Sequence, residues 1–155
     1  MAAVRLLRSL VAPLVLCLAV ACAPLISEYN AESYKYATSL KAETLALIDK
    51  ATAPGSAQKF QKETDVLSVQ LDAAYEFVAG LPNNQATAAQ WQLMRDPNGT
   101  LFGAFVKRWR REGKISETYR DEKKIDVARG FDAIVCLEVN KKDAKACSSI
   151  AQAKQ

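Results

Sequence analysis

The chain of 155 residues carries four cysteines, no histidine and one dense basic run, and these are the residues with chemistry to offer. Without histidine the commonest general base and zinc ligand is missing, and neither a Ser-His nor a Cys-His nucleophile can be assembled. Acid–base work would fall to carboxylates, lysine or tyrosine. Asp121, Glu122 and Asp126 lie close together, but they share their stretch with Lys123, Lys124 and Arg129. On a helix, spacings of three and four between opposite charges make solvated pairs. Asp96-Pro97-Asn98-Gly99-Thr100 has the opening of a calcium loop, yet its twelfth position, where a bidentate glutamate belongs, is Lys107. A capped turn accounts for the same letters. The residues call for no metal and no cofactor.

Lys107, Arg108, Trp109, Arg110 and Arg111, with Lys114 nearby, form the sharpest surface feature. Two readings stand side by side. Four cations around a tryptophan can meet anionic lipid headgroups or an acidic envelope partner, each basic residue near such a surface contributing about 1 kcal/mol. Alternatively, the run is the wet face of an amphipathic helix, with Trp109 inward and neighbouring acids pairing the arginines. The overall balance, 21 basic against 17 acidic side chains, is too even to point to nucleic acid.

The first residues supply an address. Arg5 and Arg8 precede an apolar run from Leu10 to Val20, and the small residues Ala19 and Ala21 stand three and one positions before Cys22. That is the layout of an export signal. Pro13 and Pro24 argue against the competing reading, an uncleaved membrane helix, because proline removes a backbone donor and clashes with the preceding turn. Ala19-Val20-Ala21-Cys22 resembles the lipobox of bacterial lipoproteins, and overall the chain resembles the small helical lipoproteins of Gram-negative bacteria. The resemblance implies acylation of Cys22 as the first mature residue. Ala23 in place of aspartate implies sorting to the outer membrane, facing the periplasm. It brings no catalytic or binding residues with it. The simpler alternative is a secretory signal cut after Ala21 that leaves Cys22 a free thiol.

With Cys17 in the signal and Cys22 lipidated, Cys136 and Cys147 remain. An oxidising periplasm makes a disulfide between them the default, the alternative being two buried thiols. A bridge makes a geometric demand. Residues eleven apart on one helix are about 16 Å apart, whereas a disulfide needs Cα atoms within about 7 Å. The helix must therefore end between them, at Asn140-Lys141-Lys142-Asp143, with a short terminal helix from about Asp143 folded back.

The elements that position these residues are helical. Residues 1–21 read as signal, 22–29 as a lipidated tether and 30–155 as one helical domain. Tyr36, Ala37, Leu40, Thr44, Leu47, Ile48 and Ala51 mark one face of a first helix over about 30–53, capped by Asn30. Phe60, Thr64, Leu67, Leu71, Ala74 and Val78 step by four and three along a second, over about 56–80, capped by Ser56. Asn83 or Asn84 starts a short third, with Ala88, Trp91, Gln92 and Met94 inside. Thr100 caps a fourth, lined by Leu101, Phe102, Phe105, Val106 and Trp109. Ser116 caps a long last helix to about 139, lined by Tyr119, Val127, Ala128, Phe131, Ile134, Val135 and Leu137. The expected fold is all-α, an up-down bundle of three long helices with the short pair covering one end. The expected function is a membrane-anchored, non-catalytic binding or scaffolding module of the cell envelope. A small-ligand carrier with a cavity inside the bundle, or a carboxylate- or lysine-based enzyme, are the alternatives.

Overall fold

A computed structural model describes residues 27–141 and 144–147, and among them there is no strand. The expected signal, Cys22 and most of the tether lie outside the described residues, as do Lys142 and Asp143 of the expected turn. No helix among the described residues is long and apolar enough to cross a membrane.

Helix α1 spans Ala31–Asp49 and starts where the sequence says, with Asn30 Oδ1 accepting from the Ser33 amide at 2.9 Å. It tightens into a 3-10 turn at Lys50–Thr52. Ala53 then turns extended (ψ 144) ahead of Pro54, and Gly55 takes the left-handed conformation at φ 72. The expected second helix is two: α2, Ser56–Lys59, and α3, Gln61–Ala79, parted at Phe60 (φ −106, ψ 18). The two serve different neighbours. Helix α2 packs against the later α5, whereas α3 packs against α1 and α4. The remaining helices are α4 (Gln85–Arg95), α5 (Phe102–Glu112) and α6 (Glu117–Val139), followed by a 3-10 turn at Ala144–Cys147.

Four helices close a ring: α1 touches α6 and α3, and α4 touches α3 and α6. The expectation that the short pair covers one end is thereby corrected. Helix α4 is a wall of the bundle, because Thr87, Trp91 and Met94 step by four and three as the long helices do. Trp91 meets Phe131 edge-on at 5.9 Å between centroids, in the middle of the core. Gln92, expected inside, is exposed and accepts from Arg95 Nε.

Helix α5 alone closes an end, with Phe102, Phe105, Val106 and Trp109 buried. Ser56 is not a cap. It is fully buried, donates to the Ala51 carbonyl at 2.9 Å and accepts from Trp109 Nε1 at 2.9 Å, so that it ties α5 to the end of α1. The Ile115 amide donates to the same carbonyl. Thr100 is not a cap either. Leu101 precedes the first turn of α5 without a side-chain bond, and the Thr100 carbonyl accepts from Lys123. Ser116 does cap α6, at 3.4 Å from the Tyr119 amide. We expect Ser56→Ala to cost about 1–3 kcal/mol in urea denaturation, because it strands the buried indole N–H. Thr44→Val should act the other way. Among the described residues the buried Thr44 hydroxyl has no partner, and replacing it by a methyl should raise the urea midpoint by the equivalent of about 1 kcal/mol.

Helix α6 ends at Val139, and the Asn140 amide closes it onto the Cys136 carbonyl at 2.9 Å. The chain then returns, and Cys136 and Cys147 are bridged with Cα atoms 5.7 Å apart. The helix breaks where the spacing of the two cysteines required.

Candidate functional site

The basic run divides around its helix. Trp109 leaves the surface altogether, at 1% exposure, and packs on Phe105 and Phe60. On one side, Arg108 Nε binds Glu112 at 2.9 Å and its guanidinium lies 4.0 Å from the centroid of Tyr119. Arg111 reaches the same carboxylate at 3.1 Å. Hydrogen bonds from Arg111 and then from Arg108 hold the Glu112 carboxyl below its ordinary value, and the bond to Glu112 raises Arg108. A depressed folded value means that this pairing contributes at neutral pH and is lost as pH falls through it. An NMR titration should place Glu112 below an ordinary glutamate, and Arg111→Ala should move its midpoint upward.

On the other side, Lys107 and Arg110 line a cleft of about 600 Å³ between α5 and α3, with the turn after α4 at its base. Arg110 binds Asp65, and Arg95 Nη1 binds Asp72 at 2.8 Å. Arg95 is fixed twice more, through Nε to Gln92 at 2.9 Å and over the ring of Tyr75 at 3.8 Å. Lys107 Nζ donates to Asn98 Oδ1 at 2.7 Å, and Asp96 Oδ1 accepts from the Asn98 amide at 2.8 Å. The stretch read as a capped turn is one, and the lysine at the twelfth position binds its asparagine. Gly103 sits at the base of the cleft, where α5 crosses the end of α4. A Cβ there would lie 2.2 Å from the Arg95 carbonyl oxygen.

A second polar cluster escaped the sequence reading. At the far end of the bundle from Ser56, Lys141 is 7% exposed and Glu138 fully buried. Lys141 Nζ donates to Glu138 Oε1 at 2.9 Å, to Thr87 Oγ1 at 3.3 Å and to Asn84 Oδ1. Asn84 Nδ2 donates to the Val78 carbonyl at 3.2 Å, and the Ser27 hydroxyl donates to Asn84 Oδ1 at 2.9 Å. Glu138 Oε2 is buried without a partner among the described residues. The signal was present for Glu138: Val127, Phe131, Ile134 and Glu138 step by four, three and four, so the carboxylate continues the core stripe, whereas Lys141 lies beyond the end of α6. The Cys136–Cys147 bridge spans both of them, closing a ring that contains Glu138 and Lys141.

The acids of α6 pair in solvent, Asp121 with Arg120 at 2.6 Å and Asp126 with Lys123 at 2.8 Å. Among the described residues no group of three or more His, Cys, Asp or Glu is placed to hold a metal ion. A smaller groove of about 410 Å³, with Ala46, Leu47 and Val66 in its wall, runs between α1 and α3. No family model, curated protein or solved structure matches the chain.

Proposed function

We propose that this chain is a lipid-anchored periplasmic lipoprotein, tethered through Cys22 to the outer membrane and serving as a non-catalytic binding or scaffolding module of the envelope. The observation that carries the anchor is Ala19-Val20-Ala21-Cys22 at the end of an apolar run behind Arg5 and Arg8. A disulfide between the two remaining cysteines fits an oxidising compartment. Binding as the mode of action is supported by how the interior is used. Trp91, Phe131 and Met94 fill the centre, where a carrier would keep a cavity, and the polar groups with room beside them line outer clefts.

Geometry also bears on which surface faces a partner. Ser27 meets Asn83 and Asn84 at one end of α1, and the Ser56–Trp109 contact lies at the other. The 19 residues of α1 put about 28 Å between these ends. The segment before Ser27 is short, so the α5 end is carried away from the anchor. This favours an envelope partner over lipid headgroups for the residues of α5.

Growth with radioactive palmitate, followed by membrane fractionation, tests the anchor. Label and membrane association in the wild type, both lost in Cys22→Ser, support it. A wild type that is unlabelled and water-soluble overturns it.

A further inference from the structure

The cleft between α3 and α5 has walls of opposite sign. Its cations stand on α4 and α5, as Arg95, Lys107 and Arg110, while Asp72 faces them from α3 and Asp96 adds a carboxylate from the turn at the base; Asp65, which holds Arg110, lies on α3 outside the lining. Asp65 and Asp72 are two helical turns apart and hold Arg110 and Arg95 respectively. Between these two bridges the helices do not close on one another, and a space of about 600 Å³ remains. That is within the range of small-molecule sites, about 300–1,000 Å³.

We propose that this cleft binds a small zwitterion of the peptide class, its carboxylate toward Lys107 and the two arginines and its ammonium toward Asp72. The inference rests on the binding-module reading and is independent of the anchor. Three features support it. First, the site is pre-organised, since Arg95 is held by Gln92 and by the Tyr75 ring as well as by Asp72, and keeps its place when Asp72 turns to a ligand. Second, donors and acceptors remain. Arg95 spends Nε and Nη1, Arg110 spends Nη2 and Asp72 spends Oδ1, leaving Arg95 Nη2 and Asp72 Oδ2 for a ligand. Third, exchange is cheap. Asp72 and Asp65 are 57% and 54% exposed, and exposed ion pairs are worth only about 0–1 kcal/mol. A purely anionic ligand would leave the α3 wall unmatched, and a purely cationic one the α5 wall.

The test uses trialanine as the probe on the full-length chain purified in detergent, read by calorimetry and by amide shifts of residues in α3 and α5. Trialanine should bind saturably. Acetylating its amine or amidating its carboxylate should each weaken binding by about tenfold, the equivalent of about 1.4 kcal/mol. Lys107→Met, at an exposed position bonded among the described residues only to Asn98, should weaken it by a similar factor, whereas Lys62→Met on the groove between α1 and α3 should not. Asp72→Asn should lose the distinction between free and acetylated amine. Equal binding of the doubly blocked peptide, or no saturable binding, overturns the proposal. Inorganic phosphate binding as tightly as trialanine, and surviving Asp72→Asn, overturns it in favour of a simple anion site. Binding only to vesicles of anionic lipid overturns it in favour of a membrane surface. Palmitate labelling of Cys22 is read separately, so the anchor can fail with the cleft intact, and the cleft with the anchor intact.

Discussion

Lys141→Met destabilises the domain by about 3–5 kcal/mol, the cost of leaving one member of a buried ion pair without its partner. Glu138 is fully buried, Lys141 is the cation bonded to it, and its second oxygen is already without a partner among the described residues. Removing the ammonium also strips Asn84 and Thr87 of a donor. The double variant Glu138→Leu/Lys141→Met should recover most of the loss, because an apolar pair of similar volume avoids the desolvation that the charges suffer. Urea denaturation followed by the fluorescence of the chain's two tryptophans reads both. A single variant within about 1 kcal/mol of wild type would show that the pair contributes nothing. Opening the bridge with Cys136→Ser/Cys147→Ser should itself cost about 3 kcal/mol, the chain-entropy value for so short a loop. The two losses should not add. The bridge closes the ring that holds Lys141 over Asn84, so Lys141→Met costs less once the bridge is gone.

Gly103→Ala is the second large effect, about 3 kcal/mol or more, and larger still for valine. The new Cβ meets backbone, 2.2 Å from the Arg95 oxygen and 2.6 Å from the carbonyl carbons of Arg95 and Asp96, so no side-chain rotation relieves it. Helix α5 must lift off the end of α4, drawing Phe102 and Phe105 out of the core. Gly130→Ala offers the contrast. Its Cβ would meet the mobile ends of Met94 and Leu101, at 2.7 and 3.0 Å, and these can shift. Thermal unfolding should therefore rank the two variants far apart, although both are Gly→Ala inside helices. Equal melting temperatures would refute the close crossing.

Periodicity carried most of the fold. The stripes of α1 and α3 place their buried residues almost one for one, and Asn30 and Ser116 start their helices as their side-chain chemistry requires. The break after Val139 followed from two cysteines and the reach of a disulfide. Ser56 and Thr100 failed as caps because a hydroxyl before an apolar run also serves a buried partner, and the indole of Trp109 is far away in sequence. The role of α4 was missed because length suggested a cover, while the spacing of Thr87, Trp91 and Met94 already described a wall. Glu138 lies on the core stripe of α6 by its register, although its charge speaks against burial, and Lys141 is in the turn as expected but folds its ammonium back onto that carboxylate, which no local pattern announces. The division of the basic run into Arg108 toward Tyr119 and Lys107 with Arg110 toward α3 depends on the angle at which α5 crosses. That angle is set by Gly103 against the Arg95 carbonyl, a contact between segments that carries no periodic signature.

Asn84 takes hydrogen bonds from both extremities of the described chain, from Ser27 on one side and from Lys141 on the other. Tension applied to the residues before Ser27 is therefore shared between α1, which the chain enters four residues later, and the contacts of Ser27 with Asn83 and Asn84. From there it passes into the layer where α4 and α6 are joined by Lys141 and reinforced by the Cys136–Cys147 bridge. The load enters at one end of the bundle. The cleft beside α5 lies toward the other end of the bundle, away from where such a load enters.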